Sequence, residues 1–153
     1  MNIRPAIKSD LSEIAKMATE MADLHHKLDA YYKPAVQYKN LAGDLEKELN
    51  DKDGLMLVAE DNGQIVGYFR GSVEKAPDYT SVKKIGIVYD LFVKPQHRNK
   101  EIGKKLMEAA MAWFNTKKVK NIELSVDARN ADAINFWKKS GFSEYKLRLR
   151  RDL

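Results

Sequence analysis

The spacing of the apolar residues changes repeatedly along this chain, and the alternation restricts it to folds that mix helices with strands. Helical spacing is clear in Leu41–Leu49 and from Ile102 to about Thr116, where apolar side chains recur on one helical face. Short apolar runs or strict alternation predict strands at Leu55–Glu60, Lys83–Val93 and Asn121–Asp127. The predicted order is β-α-α-β-β-β-α-β-α-β, a single α/β domain that spans all 153 residues.

Turn residues and helix caps set the remaining boundaries. Asp10 and Glu13 have the spacing of a capping box and predict a helix that runs to about residue 28. Asn62-Gly63 predicts a two-residue hairpin, because both positions of such a turn need positive φ. Asn130 predicts the cap of a helix over 131–140. The other segments predicted as strands are 2–6, 64–73 and 142–153.

The composition excludes several functional classes. The chain has no cysteine, which excludes disulfides, thiolate catalysis and cysteine-based metal sites, and its 3 histidines are too few for a histidine-rich metal site. No apolar run approaches the roughly 18 residues of a membrane span. The first residues also lack the apolar stretch of a secretory signal. We therefore expect a cytoplasmic protein without a membrane partner.

The positive charge is concentrated in the second part of the chain. Residues 94–153 hold 15 of the 27 Lys and Arg residues but only 7 of the 22 Asp and Glu residues. Such a balance favours an anionic partner, either nucleic acid or a phosphorylated small molecule. A solvated basic surface without a partner is the alternative interpretation.

The segment 88–106 favours a phosphorylated small molecule over nucleic acid as the anionic partner. A buried strand runs into a short basic loop, and the loop opens a helix whose first N–H groups and dipole favour phosphate. Gly103 allows a ligand to approach the first turn closely. The loop has neither the Walker A pattern nor the dinucleotide-binding glycine pattern. No aromatic residue lies within 94–105, so nucleic acid is disfavoured. An ordinary helix start with a solvated basic face remains the alternative. The basic residues of this segment are Lys94, Arg98, Lys100, Lys104 and Lys105.

Two motifs in this region resemble those of the GNAT superfamily, the acyl-CoA-dependent N-acetyltransferases. In the family's pyrophosphate motif, Arg or Gln is followed three residues later by Gly and after two more by Gly or Ala. Arg98 and Gly103 match its first and last places, and Glu101 stands where the glycine is usual. Leu91-Phe92-Val93 matches the strand that precedes it. The second motif is matched by Asn130, Ala133, Phe136, Trp137, Gly141 and Phe142.

This resemblance implies a GNAT-like fold, a mixed central sheet of about six strands flanked by about four helices. It also implies acetyl-CoA as the acyl-donor co-substrate and no metal. The backbone of Leu91 and Val93 would pair with the pantetheine arm, the N–H groups of 99–104 would take the diphosphate, and Asn130 would bond the arm near the thioester. The residues implied to bind acetyl-CoA are Leu91, Phe92, Val93, Arg98, Asn99, Lys100, Glu101, Ile102, Gly103, Lys104, Lys105, Asn130, Ala133, Phe136, Trp137 and Lys139.

The implied chemistry is direct attack of a primary amine on the thioester within a ternary complex. A backbone N–H at a strand bulge, that of Val93, would stabilise the oxyanion. Trp137 stands where many relatives have a tyrosine acid, and an indole does not supply that proton. The proton for the thiolate would come from Tyr89, from Tyr145 or from water, or else no acid is needed. Asp90 is the candidate base or water-holder, or else the structural partner of a basic side chain; Glu60, Glu74, His25 and His26 are weaker candidates.

The expected partner is a small-molecule or peptide amine, with no nucleic acid. The acidic first part of the chain suits a cationic acceptor. A non-catalytic acyl-CoA-binding sensor or interaction domain of the same fold is the alternative function. Family members are often dimers, and the alternating segment 145–151 is a candidate for pairing in a homodimer. The residues expected on the acceptor side are Asp29, Tyr31, Tyr32, Glu74, Asp78 and Tyr79.

Overall fold

A computed structural model describes all 153 residues of the chain. Single turns of 3₁₀ helix precede α1, α2 and α3. In chain order the strands and helices are β1 (Asn2–Pro5), α1 (Leu11–Leu28), α2 (Leu41–Leu49), β2 (Gly54–Asp61), β3 (Gln64–Lys75), β4 (Lys84–Val93), α3 (Ile102–Thr116), β5 (Ile122–Glu123) and α4 (Ala131–Lys139).

The five strands form one mixed sheet in the order β1-β2-β3-β4-β5. Neighbouring strands from β1 to β4 are antiparallel, and β4 and β5 are parallel. The β2–β3 hairpin turns at Asn62 and Gly63, with φ of 49° and 75°. The positive φ that the sequence predicts at both positions is confirmed. The five-stranded sheet with its helices also confirms the predicted single α/β domain.

Helices cover both faces of the sheet. The amphipathic helices α1 and α2 pack on one face, around a core that includes Met17, Leu45 and Tyr68. Helix α3 packs on the other face, where Leu106 and Phe114 meet Phe69 of β3. Trp137 of α4 packs at the margin of this second core. The sheet therefore separates an α1/α2 layer from an α3/α4 layer.

A β-bulge interrupts β4 at Tyr89 and not at Val93, where the resemblance placed it, because Val93 pairs regularly with Gly67 and the register shifts only between Arg70 and Gly71. Arg70 of β3 is paired with Asp90, whereas the next residue, Gly71, is paired with Val88, so Tyr89 is an extra residue without a partner. Arg70 and Ser72 lie on the same face of β3, and they contact Asp90 and Tyr89 respectively. The bulge thus turns two consecutive side chains of β4 toward the α1/α2 layer.

Two predictions about strands need correction. The strand expected at 121–127 is only Ile122–Glu123, and the expected strand within 142–153 does not form, so the sheet has five strands rather than about six. In the second case the alternating side chains find no surface that buries them, because Tyr145, Leu147 and Leu149 are 69%, 86% and 93% exposed. Alternation specifies a strand only where a neighbouring strand and a core accept it.

The capping box predicted at Asp10 and Glu13 is also wrong. The Asp10 carboxylate accepts hydrogen bonds from the Ile7 N–H and from two nitrogens of Arg4, at 2.8, 2.7 and 3.0 Å. Glu13 instead pairs with Lys16 and Lys94. A bidentate guanidinium is a stronger partner for a carboxylate than a helix N–H group, so Asp10 ties β1 to the turn before α1.

Two Gly→Ala substitutions should change stability in opposite directions. A Cβ at Gly86 would lie 2.7 Å from the Phe114 ring and 3.0 Å from Ile122, so Gly86→Ala should destabilise the fold by about 1–3 kcal/mol. A Cβ at Gly43 of α2 meets only the Asn40 side chain, and Gly43→Ala should stabilise the helix by about 0.5–1 kcal/mol. Urea denaturation measures both, and an unchanged midpoint for Gly86→Ala would contradict this packing.

Candidate active site

A gap opens between β4 and β5. The two strands pair only at Gly86↔Ile122 and Ile87↔Glu123, and the next part of β4 has no neighbour on that side. The Lys94 N–H donates to the Val66 carbonyl of β3 at 2.9 Å. Because bonding directions alternate along a strand, the N–H groups of Leu91 and Val93 point away from β3, into the gap. An extended ligand with amide groups would find strand-like partners there.

The loop that follows β4 presents a run of free backbone donors. The first N–H group bonded within or near α3 is that of Lys105, which donates to the Glu101 carbonyl at 3.0 Å. The N–H groups of residues 99–104 have no backbone or side-chain acceptor in the protein. Asn99 and Glu101 hold left-handed backbone, with φ of 61° and 60°, and this folds the loop into a concave nest at the helix start. Such a nest is an anion site.

Basic side chains surround this nest. Lys100 and Lys105 form no ion pair, whereas the Lys104 ammonium lies 3.6 Å from the Glu101 carboxylate. Arg98 is anchored, because its Nε donates to the Val93 carbonyl at 3.0 Å and its guanidinium lies 5.7 Å from the centre of the Phe92 ring. Lys94 lies apart from the group and faces Glu13 of α1.

Helix α4 borders the same loop. A Cβ on Gly103 would lie 3.1 Å from the Phe136 ring and 3.4 Å from Leu91, so any larger residue would have to displace the Phe136 ring slightly. Asn130 caps α4 by accepting from the Ala133 N–H at 3.1 Å. The structure therefore brings the two motifs of the sequence together around one end of the gap.

The other predicted donor-site residues fall into two groups. The side chains of Phe92 and Ile102 are buried in the two cores, so only their backbone is available to a ligand. Trp137 packs edge-on against Phe136 and Phe142, with ring centroids 5.0 and 5.5 Å apart. Lys139 is exposed and forms no ion pair.

Asp90 lies buried at the bulge and is tied to Arg70. The Arg70 guanidinium donates to Asp90 Oδ2 through Nε at 2.6 Å, and the Tyr68 hydroxyl donates to the same oxygen at 3.2 Å. The second carboxylate oxygen, Oδ1, has no partner in the protein. Arg70 also pairs with Glu48 of α2 at 2.8 Å. Both roles considered for Asp90 thus have a structural basis, a salt bridge through one oxygen and a free acceptor at the other.

Tyr89 belongs to a second polar group on the same face. Its hydroxyl lies 2.8 Å from the Ser72 hydroxyl and is also hydrogen-bonded to the Glu74 carboxylate. Partial burial raises the pKa of the Tyr89 hydroxyl, and the bond to Glu74 raises it further. The hydroxyl therefore keeps its proton at neutral pH and is available as a donor.

Sequence reasoning missed Arg70, Ser72 and Glu48 as parts of this site. Glu48 lies on the wall between two clefts, one lined by Ser72 and Tyr89, the other by Arg70 and the segment before α2. Burial raises the pKa of the Glu48 carboxyl. No motif contains these residues. The pairing of β3 with the bulged β4 brings Arg70 and Ser72 to Asp90 and Tyr89, and the packing of α2 brings Glu48 to Arg70.

Two of the remaining candidates are held in ion pairs. The predicted acceptor residue Asp29 is already engaged, because its carboxylate binds Arg129 and Arg150, each at 2.9 Å. Glu60 pairs with Arg4.

The structure brings together no group of three or more histidine or acidic side chains that could hold a metal ion. None of its helices has the length and apolar character of a bilayer span.

Comparison with known proteins identifies the family. Residues 16–142 match the model of the acetyltransferase (GNAT) family. An uncharacterized N-acetyltransferase of Archaeoglobus fulgidus is 35% identical over 141 residues, which cover 90% of this chain and 89% of the relative. The chain belongs to the GNAT acetyltransferase family. The two sequence motifs meet where Gly103 of the first approaches the Phe136 ring of the second.

Solved structures agree with this GNAT fold. A mutant of the BH1408 protein from Bacillus halodurans superimposes with a TM-score of 0.91 at 24% identity and covers 100% of this chain and 99% of its own. The aminoglycoside N-acetyltransferase AAC(6')-Iy, solved in complex with CoA, superimposes with a TM-score of 0.76 at 16% identity, over 99% of both chains. At these identities the likeness concerns the fold alone.

Replacement of the left-handed glutamate should improve both stability and ligand binding in this GNAT protein. Glu101→Gly removes a side chain from backbone at φ 60°, which should stabilise the fold by about 1 kcal/mol. It also removes a negative charge from the nest, so acetyl-CoA should bind more tightly, by several-fold. Denaturant titration and calorimetry measure the two effects.

Lys118→Gly is the matched control, because Lys118 has a φ of 55° beyond the other end of α3. It should give a similar gain in stability without a change in acetyl-CoA affinity. Equal affinity changes in the two variants would contradict the role assigned to the nest.

Proposed function

We propose that this protein transfers the acetyl group of acetyl-CoA to a primary amine, by direct attack in a ternary complex. The observation that carries the proposal is the continuity of free backbone donors, from Leu91 and Val93 in the gap to residues 99–104 at the start of α3. An extended amide-containing arm that ends in a diphosphate matches this arrangement along its whole length. The family membership supports the same donor.

Each part of the donor has a matching surface. The N–H groups of 99–104 take the diphosphate, and Arg98, Lys100, Lys104 and Lys105 add positive charge around it. The pantetheine amides pair with the gap-facing edge of β4. Asn130, Ala133, Phe136 and Trp137 form the wall on the α4 side, and Lys139 reaches the ribose phosphate or solvent. Because Val93 already accepts a bond from Arg98, its N–H is the group left for the ligand.

The chemical step needs few side chains. The amine nitrogen attacks the thioester carbonyl carbon, negative charge develops on the carbonyl oxygen, and the Val93 N–H stabilises that oxygen. The C–S bond then breaks, the nitrogen loses a proton, and the thiolate gains one. The chain has no cysteine that would form an acyl-enzyme intermediate, which agrees with direct attack.

The two polar groups at the bulge serve the two proton transfers, Asp90 that of the amine and Tyr89 that of the thiolate. Oδ1 of Asp90 accepts the proton of the attacking amine, directly or through a water, while Arg70 fixes the carboxylate through Oδ2. Tyr89 retains its proton and is the acid for the thiolate. Tyr145 is the poorer candidate, since its side chain is 69% exposed in the segment after α4.

The acceptor approaches from the α1/α2 layer. The bulge turns Asp90 and Tyr89 toward that layer, and the clefts on both sides of Glu48 open there. Glu48 and Glu74 supply negative charge, which favours a cationic small molecule or peptide amine. Asp29 contributes to the shape of this surface rather than to its free charge, since two arginines neutralise it.

Calorimetric titration with acetyl-CoA tests the donor site. The protein should bind acetyl-CoA in the micromolar range, and Arg98→Ala should weaken binding about tenfold, which corresponds to roughly 1.4 kcal/mol. Lys120→Ala is the matched control, because it removes the same charge from an exposed position beyond the other end of α3. Duplex DNA at physiological salt should give no signal. Absence of acetyl-CoA binding would refute the proposed function.

Release of free CoA thiol in an amine panel tests the catalytic assignment, and the cysteine-free chain contributes no background. Asp90→Asn and Tyr89→Phe should each lower kcat at least tenfold, with the acetyl-CoA affinity changed less than twofold. Lys120→Ala is again the control, because Lys120 is exposed beyond the other end of α3 and its loss should leave kcat unchanged. Tight binding without turnover of any amine would favour the non-catalytic acyl-CoA sensor instead.

A further inference from the structure

Three side-chain oxygen atoms form a closed group around the Tyr89 hydroxyl. That hydroxyl lies 2.8 Å from the Ser72 hydroxyl and donates to Oε1 of the Glu74 carboxylate. The Ser72 hydroxyl lies 3.2 Å from the same Oε1 atom. Each of the three oxygens is therefore within hydrogen-bond distance of the other two. We name Ser72, Glu74 and Tyr89 the Tyr89 triangle.

The bulge in β4 brings the members of the triangle together. Ser72 and Glu74 are two residues apart on β3, so their side chains share one face of the sheet. Tyr89 is the extra residue of the bulge, which turns its side chain toward that face. Ser72 is only 7% exposed, whereas Glu74 is exposed near the end of β3. The Tyr89 hydroxyl thus lies between a buried hydroxyl and a carboxylate in contact with solvent.

The number of protons limits how the triangle is hydrogen-bonded. With Glu74 as a carboxylate, two hydroxyl protons serve three pairs of oxygens. Tyr89 donates either to Glu74 or to Ser72, so its proton is held inside the triangle in every arrangement that uses these contacts. Once that proton has left, Ser72 is the one member that can donate to the phenolate oxygen.

Ser72 and Glu74 act on the phenol in opposite directions. Partial burial is the largest cause of the raised pKa of Tyr89, and the Glu74 carboxylate raises this pKa further because it accepts from the phenol and repels a phenolate. The hydrogen bond with Ser72 lowers the pKa of Tyr89, because a hydroxyl can donate to the phenolate. The two neighbours therefore favour different protonation states of the same oxygen.

The other charged groups on this face act from a greater distance. Glu48 of α2 raises the pKa of Tyr89 through its charge, and Asp51 lines the same cleft as Tyr89. The cation on this face, Arg70, is bound by Glu48 and by Asp90. Among these charged groups only Glu74 is hydrogen-bonded to Tyr89. Loss of the Glu74 charge should therefore change the phenol most.

We propose that Ser72 and Glu74 are positioning residues for the Tyr89 proton: Glu74 retains it on the phenol until the thiolate forms, and Ser72 then stabilises the phenolate. This inference rests on the proposed function, in which Tyr89 is the acid, and adds the two residues that control it. The proton passes from the Tyr89 oxygen to the CoA sulfur, and the Ser72 hydroxyl turns its proton to the phenolate. A proton from solvent, entering past Glu74, restores the phenol, while Asp90 releases to solvent the proton it took from the amine.

Spectroscopic titration of the free protein tests the triangle without either substrate. Tyrosinate absorbance, measured against the matching Tyr89→Phe protein, isolates Tyr89 among the 7 tyrosines. At a fixed pH of about 10, the ionised fraction of Tyr89 should be about three- to fivefold higher in Glu74→Gln than in the parent protein, because glutamine keeps the shape and loses the charge. In Ser72→Ala it should be about threefold lower, because the phenolate loses its donor. Circular dichroism at the same pH verifies that each protein is folded.

Glu108→Gln and Ser12→Ala are the matched controls for the titration. They make the same two chemical changes at exposed positions of α3 and α1. Both proteins should titrate like the parent.

The pH dependence of turnover provides the second measurement. The kcat should fall at alkaline pH as Tyr89 ionises, and this fall should occur at lower pH in Glu74→Gln and at higher pH in Ser72→Ala. Ser72→Ala should also lower kcat at neutral pH by about threefold, with the KM of acetyl-CoA unchanged. General damage to the fold would lower kcat at every pH and leave the alkaline fall in place.

Equal ionised fractions of Tyr89 in the parent, Glu74→Gln and Ser72→Ala proteins would overturn the inference, and so would changes in the same direction. Opposite changes in the titration with an unmoved alkaline fall of kcat would overturn the part assigned to the triangle in the reaction. Failure of the proposed function gives a different result, because no acetyl-CoA would then bind and no amine would be acetylated. The titration of the free proteins still decides in that case whether Ser72 and Glu74 control the Tyr89 proton.

Discussion

Strand β4 pairs with β3 along its length but with β5 only at Gly86 and Ile87, and most of the site follows from this unequal pairing. The peptide groups of Leu91 and Val93 are left facing a gap because no strand continues beside them. Backbone N–H groups without a partner in the protein remain free to donate a hydrogen bond to a ligand. The fold thus prepares a strand-like binding edge in its own sheet, and the helix start that follows extends that edge with the donors of 99–104.

The bulge at Tyr89 determines which side chains of β4 face the α1/α2 layer. Regular alternation would direct Tyr89 and Asp90 to different faces, whereas the extra residue turns both toward the α1/α2 layer. There, Arg70 links Asp90 to Glu48, so one partly buried cation orders carboxylates from β4 and α2. The salt bridge restricts Asp90 at Oδ2 and leaves Oδ1 free, so the structural role is compatible with the proposed chemical one.

Local signals predicted those elements whose cause is local. Asn62-Gly63 predicted its hairpin because positive φ is a property of those two residues. The segments 2–6 and 142–153 are both predicted as strands, yet only the first forms one, because β2 offers it a partner and nothing buries Leu147 and Leu149. Asp10 fails as a cap for a similar reason, since Arg4 reaches it from another element.

The sequence alone determined the family, the mixed α/β class and the basic loop with Arg98 and Gly103, because these depend on neighbours in the chain and on spacing. The tertiary structure alone decided that Arg70 and Glu48 meet Asp90, and that Asp29 is bound by two arginines from distant segments. These contacts join residues separated by about 20 to over 100 positions, and no local pattern encodes such pairs. Side-chain charges select partners only after the chain has folded, when distance in space replaces distance in sequence.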